Sequence, residues 1–172
     1  LEFNMSDFAM EMAKLKNEKH FDFLVTIIGE DFGEEGLGCI YLLENTETYE
    51  RISVKVVSAD RENAYLPSVT HLWKAADLLE REVYDFLGIK FLGHPDMRRL
   101  YLRSDFVGYP LRKDFDMDPE KNRAQMFDDP EPDYTVRYEL DKNGNLTETR
   151  HPLFGEDDYV VNIGPQHPAT HG

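Results

Sequence analysis

The last residues of the chain place two histidines in one short loop. His167 and His171 stand four positions apart within Gly164–Gly172, and Pro165 and Pro168 stiffen the backbone around them. An imidazole can donate a hydrogen bond or a proton to a bound substrate near neutral pH. Judged by its spacing alone, however, the segment is more simply interpreted as a structural turn.

A cluster of carboxylates surrounds Arg81 at the end of a predicted helix. Glu80 and Glu82 lie at the two borders of the apolar stripe of this helix. Arg81 and Asp85 are one helical turn apart and are expected to face solvent or a partner. A carboxylate metal site joined by His94 and Asp96 is the alternative. A di-metal helical site needs Glu-x-x-His pairs, and the sequence has none. We therefore predict helix capping and ion pairing between subunits here, and no metal site.

A second acidic pattern, Asp114-x-Asp116-x-Asp118, begins like a calcium-binding loop. Such a loop needs a glycine where Pro119 stands and a terminal glutamate where Gln125 stands. The sequence therefore predicts a solvated acidic turn at this position.

Residues 94–113 form a positive island, with five Lys or Arg residues against two Asp. A solvated loop is the simpler interpretation, but arginine suits buried or interfacial pairing with carboxylates. Phosphate or RNA binding is less favoured, because no Gly-rich loop precedes a helix. We predict a partner interface, formed by Arg81, Asp85, His94, Arg98, Arg99, Arg112, Lys113 and Asp114.

The composition excludes several classes of function. The chain carries 34 acidic and 19 basic side chains, a formal net charge of −15, so it repels nucleic acid and anionic lipid. Its one cysteine, Cys39, cannot supply an all-cysteine iron–sulfur or four-cysteine zinc site, and its apolar surroundings predict a buried strand position. The longest apolar run, 23–28, is far shorter than the roughly 20 residues of a membrane span, so we expect only indirect contact with membrane.

Hydrophobic periodicity predicts an α+β fold. Ser6 is the expected cap of a first helix, followed by strands at 21–28, 39–43 and 52–57 whose short connections favour antiparallel pairing. Pro67 and Ser68 then open a helix that ends near Gly88, and residues 89–92 form the next strand. We expect a two-layer sandwich, a small mostly antiparallel sheet with helices on one face, followed by an extended C-terminal tail.

The composition changes beyond residue 113. Residues 114–133 hold eight acidic and two basic residues with three prolines, which disfavours a packed core. Residues 134–140 and 146–150 predict a hairpin, because Asn143-Gly144 suits its turn. We divide the chain into a remnant or truncated start (1–5), a domain (6–115), an acidic proline-containing tail (116–158) and a final segment (159–172) that opens with a short strand.

Residues 80–115, EREVYDFLGIKFLGHPDMRRLYLRSDFVGYPLRKDF, carry a family resemblance. The spacing of their acidic and basic residues resembles the signature of the 30 kDa (C) subunit family of respiratory complex I, NADH–quinone oxidoreductase. Gly108–Phe115 matches the end of that family's domain. Gly164–Gly172 is similar to the opening of the neighbouring 49 kDa (D) subunit family. Together the motifs resemble a fused C–D polypeptide.

This resemblance implies a structural docking component in the peripheral arm of a proton-pumping translocase, where it organises the quinone-reducing module. It implies that the chain is non-catalytic alone and binds no cofactor, while NADH, FMN, iron–sulfur clusters and quinone belong to the parent complex. The expected partners are the 49 kDa subunit and neighbouring iron–sulfur subunits, on the cytoplasmic side of the bacterial inner membrane. It also implies that His171 lies at the quinone headgroup, with His167 in support.

Two other functions stay open at this point. The corresponding component of a membrane-bound nickel–iron hydrogenase complex resembles this one, although the form Gln-His-Pro-Ala-Thr-His-Gly at 166–172 favours quinone. A non-catalytic protein-binding module depends only on the positive island.

Overall fold

The described residues, 1–118 and 133–155 of the computed structural model, form two α-helices and seven β-strands. In chain order the first elements are α1 (Met5–Asn17), β1 (Phe23–Asp31), β2 (Leu37–Glu44) and β3 (Arg51–Ser58). They are followed by β4 (Tyr65–Pro67), α2 (Ala76–Leu87), β5 (Lys90–Leu92), β6 (Tyr134–Leu140) and β7 (Leu146–Pro152).

An antiparallel sheet in the order β1-β2-β3 carries both helices on one face. Alternate residues of β2 point to that face, and Tyr41 meets Phe8 of α1 with 5.1 Å between ring centroids. Met12 and Leu15 continue the buried side of α1, as their spacing predicts. The two-layer α+β fold is therefore confirmed.

Helix α2 lies directly on β1 at Gly29. A Cβ atom at Gly29 would stand 2.6 Å from Leu87 Cδ1 and 2.8 Å from Val83 Cγ1. The helix ends where the sequence predicts, because Gly88 adopts the left-handed conformation with φ of 75°. Helix and strand thus approach closely because one of the facing residues has no side chain.

The start of α2 differs from the prediction. The helix begins at Ala76 rather than at Pro67, which ends β4. The main-chain N–H of Val69 and the hydroxyl of Ser68 instead donate to the carboxylate of Glu80, so this segment folds back against the helix. Strand β4, which pairs in parallel with β5, is a further element that periodicity did not predict.

The first helix also begins earlier than expected. It starts at Met5 with Asn4 in the capping position, so the prediction of Ser6 as the cap is wrong by two residues. Preceding it, Leu1 and Phe3 pair through their backbones with Lys55 along the outer side of β3.

The predicted hairpin is present as β6 and β7, and it packs on the domain. Val136 and Tyr138 are buried, and the N–H of Met97 donates to the carbonyl of Val136 at 2.6 Å. The hairpin lies within the segment predicted to be an acidic tail (116–158), and this part of the segment is packed on the domain rather than extended from it. The division of the chain at residues 5, 115 and 158 stays a prediction.

We expect Gly29→Val to lower the free energy of unfolding by about 1–3 kcal/mol, because the new side chain overlaps Val83 and Leu87. Urea denaturation of the purified chain measures the change. Ile28→Val is the matched control: Ile28 is half exposed on the opposite face, so its replacement should cost within about 0.5 kcal/mol. Equal stability of the two variants would contradict the close approach.

Candidate docking interface

The carboxylate of Asp85 is completely buried beneath the loop that follows β5. Its Oδ2 atom accepts hydrogen bonds from the main-chain N–H groups of Leu100, Tyr101 and Leu102 at 3.1, 2.6 and 2.9 Å. Its Oδ1 atom accepts one from the guanidinium of Arg99 at 2.9 Å. The prediction that Asp85 faces solvent or a partner is wrong, because this loop folds over α2 and supplies all four donors.

Arg99 connects Asp85 to the far side of the same loop. Besides the carboxylate, its guanidinium donates to the carbonyls of Asp85, Phe106 and Gly108 at 2.9, 3.2 and 2.9 Å. It also lies over the ring of Tyr109, 5.1 Å from the centroid. The side chain is thus engaged within the chain on several sides.

Two further arginines attach the loop to α2 from either end. Arg81 donates to the carbonyls of Arg98 and Arg99 at 3.0 and 3.1 Å. Arg112 donates to the carbonyls of Leu87 and Arg61 at 2.7 and 2.8 Å. Much of the predicted partner-facing positive charge therefore turns inward, and a role of these arginines toward a partner stays a prediction.

His94 is buried as well, so its side chain is not presented at the surface of the chain, and its part in a partner interface stays a prediction. Its Nδ1 accepts from the N–H of Asp96, and its Nε2 lies 3.0 Å from the carbonyl of Asp77. These two partners require a neutral ring that carries its proton on Nε2. Burial lowers the pKa of His94, which agrees with that state.

Glu80 is a buried carboxyl group, although helical periodicity puts it only at the border of the apolar stripe. It accepts hydrogen bonds from the N–H of Val69 and the hydroxyl of Ser68, each at 2.7 Å. Burial raises the pKa of Glu80 to about 8, because no cation offsets the loss of water. This burial has only a weak signal in the sequence, because Glu80 lies at the border of the apolar stripe, on the same side of the helix as Asp77 and Val83.

Of the remaining predicted positions, Arg98 is half-buried, and Lys113 and Asp114 are exposed. Arg98 pairs with Asp96 at 2.8 Å, and Asp114 meets Arg61 at 3.3 Å.

The loop also exposes four large apolar side chains, each between 62% and 76% exposed, which the pattern of polar residues in the sequence did not predict. This apolar loop surface comprises Tyr101, Val107, Leu111 and Met117. Its only signal in the sequence was the number of apolar residues within a charged loop.

Within residues 1–118 and 133–155, no three His, Cys, Asp or Glu side chains are arranged to hold a metal ion. Cys39 is fully buried in β2, and burial raises the pKa of its thiol, which is typical of an unreactive structural cysteine. No helix in these ranges is long and apolar enough to cross a bilayer. His167 and His171 lie outside the described residues.

A family model for the 30 kDa subunit of respiratory-chain NADH dehydrogenase matches residues 2–121. The chain belongs to this family. The matched range includes the N-terminal residues that pair with β3, helix α2 and the loop after β5. Because Arg81, Arg99 and Arg112 attach this loop to the rest of the domain, we call it the arginine-held loop. The matched range thus includes the loop that Asp85 organises.

Curated relatives of the chain carry either a C/D or a C designation within NADH-quinone oxidoreductase. The chain is 53% identical over 162 residues to the C/D polypeptide of Phocaeicola vulgatus, covering 94% of this chain and 31% of that protein. It is 43% identical over 110 residues to the C polypeptide of Moorella thermoacetica, covering 63% of this chain and 74% of that protein. The chain therefore spans about a third of the length of the C/D relatives it matches.

A solved structure shares the fold. The chain superposes with a TM-score of 0.62 and 29% identity on a chain from the membrane-bound sulfane sulfur reductase, an archaeal respiratory membrane complex. The match covers 75% of this chain and 80% of the other. The 30 kDa fold thus occurs in a respiratory complex of a different name.

We expect Asp85→Ala to lower the free energy of unfolding by about 3–5 kcal/mol, because it leaves Arg99 and three main-chain N–H groups without their acceptor. Asp105→Ala is the control, since Asp105 pairs with Arg103 at the surface and its loss should cost about 1 kcal/mol or less. Chemical denaturation of both variants measures the difference. Similar costs would show that the Asp85 network does not hold the loop.

Glu80 should make the stability fall as the pH rises. Its pKa in the folded chain is about 8 against an ordinary value of 4.5, so the folded state binds the extra proton between these values. The stabilising contribution of the protonated Glu80 side chain is fully present below about pH 4.5 and is lost as the pH rises through about 8. Between these values, the free energy of unfolding falls by about 1 kcal/mol per pH unit.

The test compares wild type with Glu80→Gln by urea denaturation at pH 5, 6.5 and 8. Glutamine can accept from Val69 and donate to Ser68 without a charge, so its stability should fall less across this range. Because His94 titrates in both proteins, the difference between the curves isolates Glu80. Exposed Glu82→Gln should follow wild type, and identical slopes for all three proteins would refute the prediction.

Proposed function

We propose that the chain is a structural docking domain in the peripheral arm of NADH–quinone oxidoreductase, where it organises the quinone-reducing module. The observation that carries this proposal is the family match over residues 2–121, together with 94% coverage of this chain by C/D relatives. The proposal makes the chain part of an enzyme, a translocase, to which it contributes structure rather than chemistry.

The arginine-held loop supports a docking role. Three guanidinium groups and one carboxylate fix its backbone against α2, so the apolar loop surface is ordered before a partner arrives. Ordering in advance lowers the entropy cost of association. Exposed apolar side chains near fixed positions supply the burial that interface cores require. Val107 and Leu111 are the side chains we expect a partner to cover.

The partners and cofactors follow from the same proposal. The 49 kDa subunit and neighbouring iron–sulfur subunits would be the main contacts, and they would hold the clusters and form the quinone site, while NADH and FMN react elsewhere in the complex. We propose that the chain itself binds none of these groups. It would reach the cytoplasmic side of the bacterial inner membrane as a peripheral component, through its partners.

Contact between His171 and quinone, with His167 in support, stays a prediction from the sequence. Both residues belong to the segment that resembles the start of the 49 kDa subunit. In the complete polypeptide, we propose that His171 donates a hydrogen bond or a proton to the quinone oxygen.

A second candidate is the equivalent docking role in a respiratory complex that reduces another substrate. The superposition on the archaeal sulfane sulfur reductase complex favours it. The nickel–iron hydrogenase alternative belongs to the same class and stays untested. The purified parent complex separates them: NADH-dependent quinone reduction supports the first proposal, and turnover only with polysulfide or hydrogen supports the second.

The docking proposal is tested by Val107→Asp in the full-length polypeptide, expressed with the other subunits. A carboxylate at a covered apolar position should weaken association by about 2 kcal/mol or more, because it is buried without a partner. The exposed position should leave the melting temperature of the chain nearly unchanged. Tyr49→Asp, at an exposed turn between β2 and β3, is the control. Co-purification yields that are equal for both variants would remove the apolar loop surface from the interface.

A further inference from the structure

Strand β1 leaves one side of its backbone unpaired at the edge of the sheet. The strand order is β1-β2-β3, and within the described residues no strand pairs with the outer side of β1. The opposite edge differs, because Leu1 and Phe3 pair along the outer side of β3. Only one of the two edges is thus covered by the described part of the chain itself.

The register identifies the atoms at the free edge. In an antiparallel pair of strands, directly opposed residues alternate between pairs that exchange hydrogen bonds and pairs that do not. The N–H of Phe32 donates to the carbonyl of Gly36, and the opposed pair Ile28 and Ile40 lies an even number of residues away, so it also exchanges hydrogen bonds between β1 and β2. The N–H and C=O groups of Ile27 and Gly29 therefore point outward, away from β2.

A groove runs along these outward groups. Four consecutive residues of β1, from Thr26 to Gly29, form one wall, and α2 and Leu111 form the other, enclosing about 260 Å³. Because consecutive residues contribute, the groove follows the backbone edge rather than one face of the sheet. Its volume is below the roughly 300–1,000 Å³ of small-molecule sites, which favours a chain segment over a cofactor.

Charge and proline, two of the features that usually protect an edge strand, are absent from residues 26–29. These residues read Thr-Ile-Ile-Gly, and the irregularity in pairing lies earlier, between Leu24 and Thr26. Leu111 is 62% exposed beside the groove, and Ile28 is 50% exposed at the same edge of β1, on the sheet face opposite α2. Such an edge is a template for another strand, and its apolar walls accept alternate side chains.

The charges at the groove specify what kind of strand fits. Glu82 belongs to its wall and Glu30 follows it on β1, and both are exposed. Among the described residues, neither carboxylate has an ion pair. An incoming segment with a basic residue near each end would pair with them, and the net charge of −15 would attract it.

We propose that the outer edge of β1 binds an extended segment of a partner polypeptide, which adds a strand to the sheet and carries alternating apolar residues flanked by basic ones. The inference rests on the proposed docking role and deepens it. Leu111 belongs both to this groove and to the apolar loop surface, so the two areas are continuous. The partner strand thus extends the docking interface onto the sheet.

Photo-cross-linking in cells tests this proposal with the full-length polypeptide. Ile28→p-benzoylphenylalanine places the reactive group at the edge of β1, on the sheet face opposite α2, where a side chain of an added strand would lie beside it. Tyr49→p-benzoylphenylalanine at the exposed turn sets the background. The expected result is a link from position 28 to an extended segment of a different polypeptide with the stated pattern. A link to residues 159–163 of the same chain, to a second copy or to nothing above background would overturn the proposal.

Two further measurements separate this inference from the docking role. Leu111→Glu should reduce the cross-link yield by about tenfold or more, with Met117→Glu outside the groove as control.

In hydrogen exchange, the amides of Ile27 and Gly29 should exchange more slowly in the assembled complex than in the chain alone. If the chain co-purifies with its complex but these amides stay unprotected, only the strand-pairing inference fails. Failure to co-purify would instead reject the proposed function.

Discussion

The buried carboxylate of Asp85 is the interaction on which the loop after β5 depends. Without water, a carboxylate is stable inside a protein only if donors surround it, and here three consecutive main-chain N–H groups and Arg99 do so. The three N–H groups lie on adjacent residues, so they converge on one oxygen only when the chain turns sharply around it. One side chain of α2 therefore determines the path of a segment that has no regular secondary structure.

The arginines solve the complementary problem of this segment. An irregular loop packed on a helix leaves main-chain carbonyls without partners, and each unpaired buried carbonyl is costly. Arg81, Arg99 and Arg112 each donate to two or more carbonyls, for which a planar guanidinium with five N–H groups in a rigid fork is better suited than the flexible ammonium of a lysine. The positive island in an acidic chain is thus largely a set of internal donors.

Sequence reasoning succeeded where the pattern is local. The alternation of β1 to β3, the helical spacing of α1, the Asn143-Gly144 hairpin and the end of α2 at Gly88 each depend on neighbouring residues. It was wrong where burial is created by a distant segment. Periodicity places Asp85 outward and Glu80 at a border, and only the loops that fold onto α2 bury them. The resemblance of residues 80–115 indicated the family without revealing this geometry.

The inward arginines and the outward apolar residues reverse the usual arrangement of a soluble loop. A chain that used this loop only for its own stability would gain by turning Val107 and Leu111 inward, whereas exposed apolar surface beside an ordered backbone is typical of interfaces. Leu111 links that surface to the groove along β1. A partner that covers Leu111 would therefore also lie beside the edge strand. There, main-chain hydrogen bonds would set its register while the apolar side chains supply affinity.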